Sequence, residues 1–159
     1  FRSKEKIFSI FDIKETEAYV LFIDRGEDTD FYKTQAKLKF SAKTRRSCPN
    51  MINLYRNLSL ICRTKYAILE NLTLQQQIQL FYNAKAVVLQ HGAAFANILW
   101  CKPKITIFEM ATNLFQESYF RRFAKQCGCH LKFIPQQHDH APINESLFAS
   151  IIKSHIPFL

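Results

Sequence analysis

The chain has 159 residues, which suits one compact domain large enough to bury a sizeable core. A hydrophobic content of 48% with 15 Phe excludes a disordered chain, and 3 Gly argue against a loop-dominated fold. The formal charge of +9 favours a polyanionic partner, such as a phosphate-bearing ligand, nucleic acid or an acidic membrane. The basic residues are dispersed, with pairs at Arg45-Arg46 and Arg121-Arg122, which reads as a basic surface rather than a nucleic-acid-binding arm.

In chain order, residues 19–23 read as a strand, and the charged connection 24–44 carries no clear pattern. Met51, Leu54, Leu58 and Ile61 recur at helical spacing, so residues 50–62 are expected to be a helix with Pro49 near its start. Residues 66–69 form a short apolar strand. Thr73-Leu74-Gln75-Gln76 then matches a capping box, and Leu74, Ile78 and Phe81 put one face of the following helix on the core. Residues 86–89 form a third strand, which breaks at His91-Gly92-Ala93 into a short helix ending at Trp100. Residues 105–108 form another strand, closed by Glu109. A helix over about 115–126 carries Phe115, Tyr119, Phe123 and Ala124 on one side, and Gly128 is its natural stop. Residues 130–134 are the last strand and 144–154 the closing helix.

Short apolar runs alternating with helices imply buried parallel strands joined by right-handed crossovers. The expected fold is a Rossmann-like three-layer α/β sandwich. Polar groups just past the carboxyl ends of such strands sit where open α/β sheets bind ligands, which makes His91 and Glu109 the first candidates for a site.

The residues from Leu74 to Met110 resemble the central signature of glycosyltransferase family 61, the DUF563 group. Three pieces carry the likeness in order: the helix Leu74-Gln75-Gln76-Gln77-Ile78-Gln79-Leu80-Phe81-Tyr82-Asn83-Ala84, the turn His91-Gly92-Ala93-Ala94-Phe95-Ala96-Asn97, and the strand end Ile107-Phe108-Glu109. Arg25 after the first strand and Arg45 or Arg46 before Asn50 match the family's basic positions more loosely. Ala94 stands where the family has its second Gly, and Asp24 where it has Ser.

The resemblance implies one lobe of a two-lobed GT-B enzyme, the lobe that holds a nucleotide-sugar, with a UDP-sugar such as UDP-GlcNAc or UDP-xylose as the expected donor. Transfer would invert the anomeric centre and deliver the sugar to a glycan or glycoprotein acceptor. The whole chain, 1–159, is expected to be a single donor-binding domain of a longer protein whose N-terminal lobe is missing from view. Activity of the chain alone is open, as is its cellular location: the secretory pathway in a eukaryote, the cytoplasm otherwise. Three Asn-x-Ser/Thr sequons at Asn57, Asn71 and Asn144 agree with the former.

Such a reaction stabilises a departing diphosphate with arginine, histidine and backbone N–H groups at a helix start. Gly92 and Ala93 would open the backbone to phosphate beside His91, while Arg25, Arg45 and Arg46 supply charge. Glu109 would accept from ribose hydroxyls, and Asn97 would orient the loop or reach the sugar. No catalytic base stands out beyond His91 itself. No cofactor is called for, and no metal: Cys127, Cys129, His130, His138 and His140 cluster, but their Cys-x-Cys and His-x-His spacings differ from those of common zinc sites. Two alternatives remain: a catalytically incomplete nucleotide-binding module, and a basic nucleic-acid-binding domain, though nucleic acid is not the expected partner because the Phe residues fall at core spacing.

Overall fold

The computed structural model describes residues 2–27, 42–112 and 119–156. Five strands form one sheet: β1 Tyr19–Asp24, β2 Thr64–Ile68, β3 Ala84–Gln90, β4 Thr106–Ala111 and β5 His130–Pro135. Their order is β2-β1-β3-β4-β5, and every neighbouring pair is parallel. Parallel sheets are covered on both faces, which is why the central strands read as unbroken apolar runs. Tyr19, Val20, Leu21, Phe22 and Ile23 are all buried, as are Val87, Val88 and Leu89.

The period-2 alternation of the strands feeds two separate cores. Leu21, Ile23, Val87, Leu89 and Ile107 point to one face, where Phe81, Phe95, Ile98 and Ala124 meet them. Val20, Phe22, Ala86, Val88 and Phe108 point to the other and pack on Met51, Leu54, Leu58, Phe148 and Ile152. Helix α4 (Leu74–Asn83), the 3-10 helix Ala93–Trp100 and α5 (Tyr119–Gln126) therefore cover the first face. Helices α3 (Met51–Ser59) and α6 (Glu145–His155) cover the second. This is the expected three-layer α/β sandwich.

Local chemistry sets the helix ends. Thr73 Oγ1 accepts from the Gln76 N–H at 3.3 Å and Gln76 Oε1 accepts from the Thr73 N–H at 2.8 Å, completing the capping box. Asn144 Oδ1 accepts from the Leu147 N–H at 2.9 Å. Gly128 ends α5 at φ 72°, a left-handed position that lets the Cys129 N–H reach back to the Ala124 carbonyl.

Several expectations are corrected. Helix α1 (Arg2–Ile10) and the single turn α2 (Ala42–Arg45) carried no sequence assignment. Helix α3 ends at Ser59 rather than at 62, and β2 begins at Thr64 and stops before Leu69, which opens a 3-10 turn. The segment after Gly92 is a 3-10 helix. Strand β4 runs on to Ala111, so Glu109 lies inside the strand and not at its end. The start of the expected helix at 115–126, Phe115 included, lies outside the described residues, as does most of the 24–44 connection.

Candidate functional site

The connection from β1 through α3 covers one face, whereas those from β2 through α4 and from β3 onward cover the other. The chain therefore diverges to opposite faces between the neighbouring strands β1 and β3, and open α/β sheets bind ligands at such a switch point, beyond the carboxyl ends of the strands. The residues there are Asp24-Arg25-Gly26 and Gln90-His91-Gly92.

Arg25 bridges the gap. Its Nη2 donates to the His91 carbonyl at 2.6 Å. Behind it, Asp24 Oδ1 accepts from the Arg25 N–H at 2.8 Å, and Asp24 Oδ2 accepts from the Tyr66 hydroxyl. Burial pushes the Tyr66 phenol upward, and the Asp24 bond and charge add to it, so Tyr66 stays protonated as the donor of this pair. Gly92 has φ 155°, and a Cβ there would meet Arg25 Nη2 at 2.1 Å. Only glycine allows the guanidinium to lie across this backbone.

Arg46 is buried, with Nε donating to Asp139 Oδ1 at 3.1 Å, while Arg45 at the end of α2 is exposed. Both act on Arg25. Burial lowers the Arg25 pKa, the charge of Arg46 and then that of Arg45 lower it further, and Glu70 and Asp139 oppose them. The charges of Arg46 and Arg45 thus both bear on the Arg25 guanidinium at the switch point. An anion placed there would offset that positive charge.

His91 is buried, its N–H bonded to the Met110 carbonyl at 2.9 Å. Its Nδ1 is 2.6 Å from Glu109 Oε1, and Phe120 meets the ring edge-on at 5.1 Å. Glu109, 1% exposed in the middle of β4, is thus held against His91 rather than presented at a strand end. Ala93 is exposed at the start of the 3-10 helix. Asn97 folds back, its Nδ2 donating to the Ala94 carbonyl at 3.5 Å.

The structure therefore brings Arg25, Arg45, Arg46, His91, Gly92 and Ala93 to one end of the sheet, with Glu109 beneath them and Asn97 one turn away. Among the described residues, no three His, Cys, Asp or Glu side chains are grouped to hold a metal ion. Cys129 is buried, and His140 instead pairs with Ser47 Oγ at 3.1 Å.

Three contributors lay beyond sequence reasoning. Asp139 anchors Arg46 from a loop with no motif. Gln136, buried at the end of β5, donates through Nε2 to the Ser47 and Ala141 carbonyls at 2.8 and 2.6 Å and accepts from Gln90 Nε2 at 3.1 Å. This amide chain ties the loop of Arg46 to the sheet. Beside it, a cavity of about 860 Å³ opens past β4 and β5, lined by Thr112, Gln136, His138, Asp139, Asn144 and Leu147 among others. The buried Thr112 Oγ1 on its wall has no hydrogen-bond partner among the described residues. The sequence Pro135-Gln136-Gln137-His138-Asp139-His140-Ala141-Pro142 drew notice for its two histidines alone.

Residues 2–108 match the family model described as Glycosyltransferase 61. The chain belongs to glycosyltransferase family 61. Within the family-61 match fall Arg25, Arg45, Arg46, His91, Gly92, Ala93 and Asn97, and Glu109 follows it directly. Strand β5, Gln136 directly after it and helix α6 with the cavity wall lie beyond it. A comparison with curated proteins gave no match.

Proposed function

We propose that this family-61 chain binds a nucleotide-sugar, a UDP-sugar in the first instance, with the diphosphate seated at the β1/β3 switch point. The observation that carries the reading is Arg25 lying across Gly92 onto the His91 carbonyl, with Arg45 and Arg46 close enough to depress its pKa. A diphosphate leaving group gathers negative charge as its bond to the anomeric carbon breaks, and fixed cations stabilise that charge without reorganisation. Arg25 is preorganised by its bond to the His91 carbonyl, Arg46 by Asp139. Gly92 gives its side-chain space to the Arg25 guanidinium, and the small, exposed Ala93 beside it lets phosphate oxygens approach the backbone. The adjoining cavity has the volume to take a nucleoside or a sugar ring. Transfer to a glycan or glycoprotein hydroxyl would then invert the anomeric centre: the acceptor oxygen attacks, its proton passes to a base, and the nucleoside diphosphate leaves.

Calorimetric titration with UDP, UDP-GlcNAc, UDP-xylose and GDP-mannose tests this. Saturable binding that follows the uridine diphosphate part, lost in Arg25→Ala, is the expected result. Binding that ignores the nucleotide, or survives Arg25→Ala unchanged, overturns it.

A further inference from the structure

Glu109 is a costly residue to place where it is. A carboxylate taken out of water into an apolar layer costs several kcal/mol, on the order of a folding free energy, unless it is paired. Glu109 is 1% exposed, on the face of β4 that also carries Ile107, close to the layer of Phe95 and Phe120. Oε1 is engaged by His91 Nδ1 at 2.6 Å, and among the described residues Oε2 has no hydrogen-bond partner. Two lone pairs do not approach to that distance, so a proton lies between the two atoms. The backbone of His91 is also clamped on both sides, its N–H on the Met110 carbonyl and its own carbonyl under Arg25. Besides the backbone, the rotation of the His91 ring and its protonated nitrogen have to be set, and Glu109 Oε1 bonds the ring at Nδ1. Glu109 sits where both are decided.

We propose that Glu109 is a positioning residue that fixes His91 as the Nδ1–H tautomer, leaving Nε2 as the ring nitrogen that meets the bound donor. The role rests on the donor-site reading above, but the tautomer can be measured without any donor. A hydrogen bond made by one ring nitrogen sets the state of the other, and a partner carboxylate on Nδ1 turns the ring away from the Nε2–H form that a histidine free in water prefers. This assigns Glu109 to the imidazole and not to a ribose.

The test is long-range proton–nitrogen NMR correlation of the neutral His91 ring, assigned by comparison with His91→Gln, in the wild type, Glu109→Gln and Glu109→Leu. UDP affinity is measured alongside. The wild type is expected to show the Nδ1–H form. Glu109→Gln, whose Oε1 can still accept, keeps that form and most of the affinity. Glu109→Leu moves to the Nε2–H form and binds UDP roughly tenfold more weakly, the loss expected for one charge-assisted hydrogen bond. A wild-type ring protonated on Nε2 overturns the proposal, and this reading needs no variant to fold. So does a Leu variant with an unchanged tautomer. A Gln variant that keeps Nδ1–H but loses UDP overturns it too, and places the carboxylate on the ligand. Should the tautomer follow Glu109 while no variant or wild type binds UDP, the donor reading fails and the positioning role stands.

Discussion

Arg25 and Gly92 form one unit: the guanidinium occupies the space that a side chain at position 92 would need, 2.1 Å from where its Cβ would lie. Gly92→Ala has two consequences of different kinds. The backbone at φ 155° is one that L-residues rarely adopt, and holding alanine there costs about 1–3 kcal/mol. The clash itself is with the far end of a flexible side chain, so Arg25 can swing aside, but only by giving up the His91 carbonyl. Gly92→Ala should therefore fold with a lowered melting temperature and lose most of its UDP affinity. Thermal melts beside calorimetry check this, and full affinity in the folded variant contradicts the arrangement.

The crowding of Arg25, Arg45 and Arg46 predicts a marked response to anions. Pyrophosphate or UDP should raise the melting temperature, and the effect should shrink as salt is added, because screening weakens the same field. Arg25→Lys keeps the charge but loses the planar fork that spans to the His91 carbonyl. It should weaken UDP binding by about 1.5–3 kcal/mol, the worth of a hydrogen bond to a charged group. A Lys variant that binds like the wild type would reduce Arg25 to a general charge.

Gln136→Leu removes a buried amide that serves three partners at once. The Ser47 and Ala141 carbonyls and the Gln90 amide lose a partner, which should destabilise the fold by about 2–4 kcal/mol in urea denaturation. Arg46 leads directly into Ser47, so donor affinity should fall as well. Gln136→Glu should be worse than Leu in stability, since a carboxylate would face two carbonyl oxygens. The opposite order would mean that the amide donors do not hold this loop.

Burial pushes the Cys48 and Cys129 thiols from 9.0 up to about 11. For Cys48 the backbone bonds from Ile143 and Asn50 oppose the rise and the Asp24 charge adds to it. For Cys129 the neighbouring Cys127 adds and Lys4 opposes. The folded state thus holds these protons more tightly than the unfolded state. Their contribution is complete below pH 9 and is lost as pH rises from 9 towards 11, by up to about 2–3 kcal/mol per thiol. Urea midpoints should fall between about pH 8 and about pH 11, and Cys48→Ala/Cys129→Ala should flatten that fall. An equal fall in the double variant would assign it to other groups.

Much of the sandwich was legible because its signals are local. Apolar runs such as Val20-Leu21-Phe22-Ile23 need both faces covered. Thr73 and Gln76 cap a helix through atoms three residues apart. Gly128 supplies a left-handed turn that other residues resist. The His91-Gly92-Ala93 break likewise marked a strand end, and of the eight candidate positions, Arg25, Arg45, Arg46, His91, Gly92 and Ala93 lie at the carboxyl end of the sheet, with Glu109 inside β4 and Asn97 one turn on.

What only the tertiary structure decided was set by partners distant in sequence. The segment Ala93–Trp100 has the composition of an α-helix, but it must carry the chain from the end of β3 back to the start of β4. At about 2.0 Å per residue a 3-10 helix spans more of that length than an α-helix at about 1.5 Å. Helix α1 holds through Phe8 on Tyr82 and Trp100 and Lys4 on the Cys101 carbonyl, contacts that no pattern within nine residues announces. Asp139 finds Arg46 across 93 positions. Glu109 is the sharpest case. Its sequence context, an apolar run closed by a carboxylate, reads as an exposed strand end. Pairing with β3 and β5 carries the strand past it, and His91, 18 residues away, supplies the hydrogen-bond partner for this buried side chain. The sequence by itself determined which segments are buried and where they break. Which charges meet at those breaks depended on strand order, because strand order alone sets which loops become neighbours.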